Sequence, residues 1–169
     1  MVIERLPTAR AAEYRALMLE AYAAHPEAFT STVAERAGLP LAWWEARLSA
    51  ESAAKEVVLG APQDGAIAGV IGLSFEQREK VRHKVTLFGM YVHPRWRRRG
   101  LGRQLVLAAL KHARERPGVM IAQLTVTEGN EPAEALYESC GFVRFGVEPF
   151  AVAAGSQYLS KIHLWRRVN

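Results

Sequence analysis

The chain has 169 residues, enough for one domain around one core, and half of them are apolar with 23% charged, as in an ordinary globular protein. One cysteine, Cys140, excludes an intrachain disulfide framework and a cysteine-rich metal site and suits a reducing cytoplasm; no leader is read before Glu4, and no apolar run nears the ~20 residues of a membrane span. The net charge of +5 is unevenly placed: residues 78–116 hold twelve Lys and Arg against two acidic residues, and the rest hold ten against fifteen.

In chain order, Val2 to Leu6 reads as a short strand. Thr8 is placed to cap a helix over Ala9 to Ala24, where Tyr14, Leu17, Met18 and Ala21 fall at helical spacing. His25-Pro26 ends it, and residues 26–40 read as a loop with a turn of helix. Leu41 to Leu48 is a short helix bearing Trp43 and Trp44. Glu56 to Ala61 and Ala66 to Phe75 read as two strands, and Asp64-Gly65 signals a tight hairpin between them. Val81 to Val92 reads as a third long strand. A helix from Leu101 to about Arg116 stops at Pro117-Gly118. Val119 to Thr127 reads as a fully buried strand. Asn130 caps a helix whose Ala133, Leu136, Tyr137 and Cys140 share one inward face, with Gly141 as its terminator. Val143 to Glu148 and Tyr158 to Arg166 close the chain as strands, with a small apolar loop, Phe150 to Gln157, between them. The order β-α-α-β-β-β-α-β-α-β-β predicts an α/β (α+β) domain over residues 1–169. Its mixed, mostly antiparallel sheet has about seven strands and about four helices.

The chemistry concentrates between the third strand and the following helix. Five arginines lie between Arg95 and Arg103, interleaved with Gly100 and Gly102. A strand, a glycine-bearing turn and a helix N-terminus together offer free backbone N–H groups and a partial positive charge to a phosphate. A solvated basic loop or a nucleic-acid patch is the alternative use of such a run. The apolar helix after Gly102 argues against nucleic acid.

Arg97-Arg98-Arg99-Gly100-Leu101-Gly102 resembles the Gln/Arg-x-x-Gly-x-Gly/Ala signature of the GCN5-related N-acetyltransferase (GNAT) superfamily. Asn130 to Phe142 is similar to that family's Asn-x-x-Ala-x-x-Leu-Tyr-x-x-x-Gly-Phe block. The resemblance implies transfer of an acetyl group from acetyl-CoA to a primary amine, with no metal and no membrane. It implies that Arg97, Arg98, Arg99, Gly100, Leu101, Gly102 and Arg103 form the pyrophosphate turn. It also implies a bulge around Gly89-Met90-Tyr91 that splays two strands and opens Met90, Tyr91 and Val92 to pantetheine. Asn130 would touch the pantetheine arm, and Tyr137 would lie at the cofactor and protonate the departing thiolate. An N–H freed by the bulge would stabilise the oxyanion.

Other readings stand beside these. Tyr137 also suits core packing, and Cys140 a small hydrophobe. Glu76, just past the second hairpin strand, is a candidate base acting through water or a solvated strand end. His83 is a minor candidate. The acceptor stretch, residues 25–48, holds Glu27, Glu35 and Glu45 against Arg36 and Arg47, which predicts a small cationic amine. A non-catalytic acyl-CoA sensor is the alternative function, and a homodimer is left open.

Overall fold

The computed structural model describes residues 1–169, whose seven strands form one open sheet in the order β1-β2-β3-β4-β5-β7-β6. The strands are β1 (Glu4–Arg5), β2 (Glu56–Gln63), β3 (Ala66–Phe75), β4 (Lys84–Val92), β5 (Ile121–Thr127), β6 (Val143–Ala154) and β7 (Gln157–Arg167). The helices are α1 (Ala11–Ala24), α2 (Val33–Ala37), α3 (Leu41–Arg47), α4 (Leu101–Glu115) and α5 (Glu131–Ser139). All neighbouring strands are antiparallel except β4 and β5, which are parallel and joined through α4. A parallel pair requires such a crossover. The mixed sheet matches expectation. The fifth helix, α2, lies where a loop with a turn of helix was expected, and a Thr32–Glu35 capping box holds its first turn.

Each sheet face has its own core. Val57, Leu59, Ile71, Leu73 and Val85 face α4, whose Leu101, Leu105, Val106, Ala109 and Ala113 form its inward stripe. Val58, Val70 and Tyr91 face Tyr14, Met18 and Trp44 of α1 and α3. Asp64 and Gly65 both take positive φ, the geometry of the tight turn that Asp-Gly favours.

At Gly60, a Cβ would fall 2.5 Å from Leu6 Cδ2, and Leu6 is only 1% exposed. Overpacking of this kind costs about 1–3 kcal/mol. Gly60→Ala is expected to lower the denaturant midpoint with no change in its slope; an unchanged midpoint would mean that Leu6 has room to yield.

Several boundaries differ from expectation. Thr8 does not cap α1: its hydroxyl donates to the Leu48 carbonyl, and a 3₁₀ turn, Thr8–Arg10, precedes the helix. β4 begins at Lys84 because Glu79–Val81 form another 3₁₀ turn. β5 is not buried throughout: Thr125 is exposed, for a reason the site explains. The stretch Phe150 to Gln157 is mostly strand. The pattern breaks at Pro149 because the β6–β7 register shifts between Glu148 and Val152, and Phe150 takes positive φ there. A bulge is where a sheet tolerates proline.

Candidate active site

β4 and β5 pair only where Lys84–Thr86 meet Ile121–Gln123. Beyond that they separate. On β4, Phe88 faces Gly72 and Tyr91 faces Val70, so Gly89 and Met90 together stand opposite Ile71. This is a bulge, and Gly89 supplies its positive φ. β5 keeps its pairing with β7 through Thr127. The result is an opening between two parallel strands at their C-terminal ends, where α4 and α5 begin. Thr125 is exposed because β4 no longer covers it.

On one side of the opening lies a cleft of about 780 Å³. Met90, Tyr91, Val92, Arg97, Arg98, Gly100, Leu101, Gly102, Arg103 and Asn130 line it, as expected. Arg98 and Gly100 both take left-handed φ, +59° and +73°. That conformation turns successive N–H groups to one side of the chain. No side chain caps α4, and the N–H groups of Arg98 through Arg103 donate to no backbone carbonyl. They are free to bind an anion beside a helix N-terminus. A Cβ on Gly100 would meet nothing within 4 Å, which marks open space in front of the turn.

The arginines do not act alike. Arg97 folds back: its Nε donates to the Val92 carbonyl at 2.9 Å, and its guanidinium lies 3.1 Å from His25 Nε2. Arg95 stacks on Trp96. Arg99 is exposed and does not line the cleft, because consecutive side chains in a turn point in different directions. Tyr91 is buried, packed in the core on the α1 side of the sheet. Its hydroxyl donates to Glu20 Oε1 at 3.1 Å, and burial followed by that contact raises its pKa.

Asn130 caps its helix as expected and also stands at the cleft. Its Oδ1 accepts from the Ala133 N–H at 3.4 Å, capping α5, while the residue lines the cleft. Tyr137 lies one layer behind the cleft wall, 8% exposed, with its ring edge-on to Phe142. Its hydroxyl points at the bulge and donates to Met90 Sδ at 3.7 Å. Burial, with Cys140 as the second cause, pushes that hydroxyl well above the usual tyrosine range. Glu76 is not brought to this place. It follows the end of β3, five residues past the bulge partner Ile71, roughly 16 Å along the strand. It pairs with Arg78 at 3.4 Å. His83 likewise stands before β4, far from the bulge.

A second cavity, of about 470 Å³, opens on the other side of the splay. Both cavities are lined by Ala28, Phe29 and Thr127, so they meet at the opening. None of the three glutamates expected to make this side acidic lines it. Glu35 is spent in the α2 capping box, Glu27 lines the first cleft, and Glu45 lines neither. Arg36 and Arg47, from the same stretch, do line it. Residues 25–48 thus give this cavity a basic lining where an acidic one was expected. Thr127 and Glu128 are lining residues that the sequence did not disclose, and His25 and Phe29 were expected only as part of the acceptor stretch. The Pro after His25 read only as a helix stop.

Residues 14–142 match the model of the acetyltransferase (GNAT) family. The L-amino acid N-acetyltransferase AaaT of Escherichia coli is 28% identical over 73% of this chain and 74% of its own. The mycothiol acetyltransferase of Thermomonospora curvata is 51% identical over 29% of this chain, a span that is 16% of that protein's length. Among solved structures, a GNAT-family acetyltransferase from Streptococcus pneumoniae superposes with a TM-score of 0.88 at 26% identity, covering 99% of both chains. The yncA protein of Salmonella typhimurium, a putative acetyltransferase solved with its cofactor acetyl-CoA, superposes at 0.81 and 22% identity over 100% of this chain and 94% of its own. With the splayed strands, the glycine-arginine turn and the family match over most of its length, the chain belongs to the GNAT acetyltransferase family.

Proposed function

We propose that this chain is an acetyl-CoA-dependent N-acetyltransferase acting on a primary amine of a small molecule, with peptide and protein amines as the other acceptors of that class. The observation that carries the reading is the meeting of two cavities at one opening, with an anion cradle on one side. A two-substrate transfer needs that layout, because donor and acceptor must reach one point together.

The residues present fit the CoA group. The N–H groups of Arg98 to Arg103 and the N-terminus of α4 would hold the pyrophosphate, with Arg98 and Arg103 adding charge. The backbone of Met90 to Val92 at the cleft wall, with Asn130 opposite, would hold the pantetheine arm. When bound, acetyl-CoA supplies an acetyl thioester. The amine attacks in its neutral form: a C–N bond forms, the C–S bond breaks, and the amine's surplus proton leaves to water. The bulge at Gly89-Met90 frees backbone from the ladder, where an N–H can face the charge that grows on the acyl oxygen. Tyr137 already donates to one sulfur, Met90 Sδ, which is a weak acceptor. A departing thiolate that comes within reach of this hydroxyl would be a far stronger one. A cytoplasmic setting belongs to the same reading and is supported by the single buried cysteine, which is free.

The test is free-thiol release from acetyl-CoA across a panel of amines. Release that needs both protein and amine is expected. If acetyl-CoA raises the melting temperature but no amine yields thiol, the chain is an acyl-CoA sensor. If only nucleic acid raises it, with strong salt dependence, the reading fails entirely.

A further inference from the structure

We infer that the second cavity selects its acceptor by an anion: a small amine that carries a carboxylate a few bonds from its amino group, as a free amino acid does. This deepens the proposed function and rests on it for the identity of the site, though not for the test below.

Three cations from three separate elements converge on the cavity: Arg36 of α2, Arg47 of α3 and Lys161 of β7. One carboxylate, Glu56, joins them, and it is already engaged, with Oε2 3.3 Å from Arg47 Nε. Two positive charges are left without a partner acid. An ammonium acceptor entering here would meet net repulsion, whereas a carboxylate would meet attraction.

The guanidinium groups are also held rather than free. Arg36 Nε donates to Ser31 Oγ at 2.9 Å, and its guanidinium lies 4.5 Å from the Trp43 ring centre. The Arg47 guanidinium lies 4.3 Å from the same ring and 4.9 Å from Phe88, with its side chain 13% exposed. Stacking occupies the flat faces of a guanidinium and leaves its N–H edges to bind a planar carboxylate. Two like charges against one indole repel each other, and an anion bound nearby relieves that repulsion. A solvated charge pattern on a helix face would not need that arrangement.

Geometry places the amino end. The cavity meets the first cleft at Thr127 and Phe29, beside the Gly89 bulge. An acceptor with its carboxylate on the unpaired Arg36 points its amine at that junction only if it is short. A cavity of about 470 Å³ lies in the range of small-molecule sites. Phe29, Phe88 and Tyr22 in its wall would accept an apolar side chain.

Binding of the N-acetylated product tests this without catalysis. N-acetyl-L-amino acids, their matched carboxamides and N-acetylspermidine are titrated calorimetrically into the protein with CoA present. At least one carboxylate is expected to bind about tenfold or more tighter than its own amide, the strength of one charged hydrogen bond. Arg36→Met, which removes the guanidinium over Trp43 and keeps an unbranched apolar chain, is expected to reduce that preference to under about threefold while leaving amide binding in place. Lys161→Met serves as a second variant if Arg36→Met does not fold. Amides equal to carboxylates, no binding by any member, or tighter binding of N-acetylspermidine would each overturn the inference. Failure of the proposed activity is read separately, as absent thiol release.

Discussion

Tyr137→Phe is expected to lower turnover by about 10²–10⁴-fold, the usual reach of a positioned acid, while acetyl-CoA affinity stays within about threefold. The variant keeps the ring against Phe142 and removes only the hydroxyl that now rests on Met90 Sδ. The pH profile sharpens the test. Burial holds the folded hydroxyl above its unfolded value of about 10, so the proton is bound more tightly in the folded state. Stability from that difference is complete below about pH 10 and is lost as pH rises beyond it. Tyr137 therefore stays protonated through the working range and adds no descending limb to the rate profile there. A proton held so tightly makes Tyr137 a weak acid, so its hydroxyl would steady the thiolate by a hydrogen bond more than by early proton transfer. Wild-type turnover in the variant would return Tyr137 to core packing.

The cradle was legible because its signal is local. Arg97, Gly100 and Gly102 stand within six residues, and the glycine spacing states where the backbone must be bare. The turn did what that spacing requires: Gly100 takes a left-handed φ and α4 starts uncapped. The Arg99 side chain lies outside the cleft although its N–H belongs to the turn, because a run of identical residues hides which side chain points inward. Glu76 failed for a different reason. Sequence proximity to the sheet centre says nothing about which end of a strand meets the opening, and register places Glu76 at the wrong end.

The acceptor side was the least legible part. Its lining comes from α1's end, α2, α3, β2, β3, β4, β5 and β7, brought together by the strand order and not by any motif. Counting charges over residues 25–48 gave an acidic stretch. Side-chain direction reversed it, since the Thr32 cap claimed Glu35 while Trp43 drew Arg36 and Arg47 together. The β6 bulge at Phe150 was hidden similarly: Pro149 reads as a loop, and only the pairing of both flanks with β7 shows a continuing strand.

Gly100→Val is expected to abolish stabilisation by acetyl-CoA. In the wild type, ligand at ~100 times its dissociation constant should add roughly 2.7 kcal/mol. The valine side chain would stand in the open space before the turn, where nothing else lies within 4 Å, and would bar an anion from the free N–H groups. A branched residue at φ +73° also strains the backbone by about 1–3 kcal/mol, so the unliganded protein should melt earlier as well. The two effects separate with a control. Gly118, at the end of α4, also has positive φ, +83°, with open space around it, and it lines neither cavity. Gly118→Val should reproduce the strain and keep the ligand-induced shift. If both variants retain that shift, the turn does not bind the phosphates. If both lose it, the loss comes from backbone strain and not from a blocked cradle.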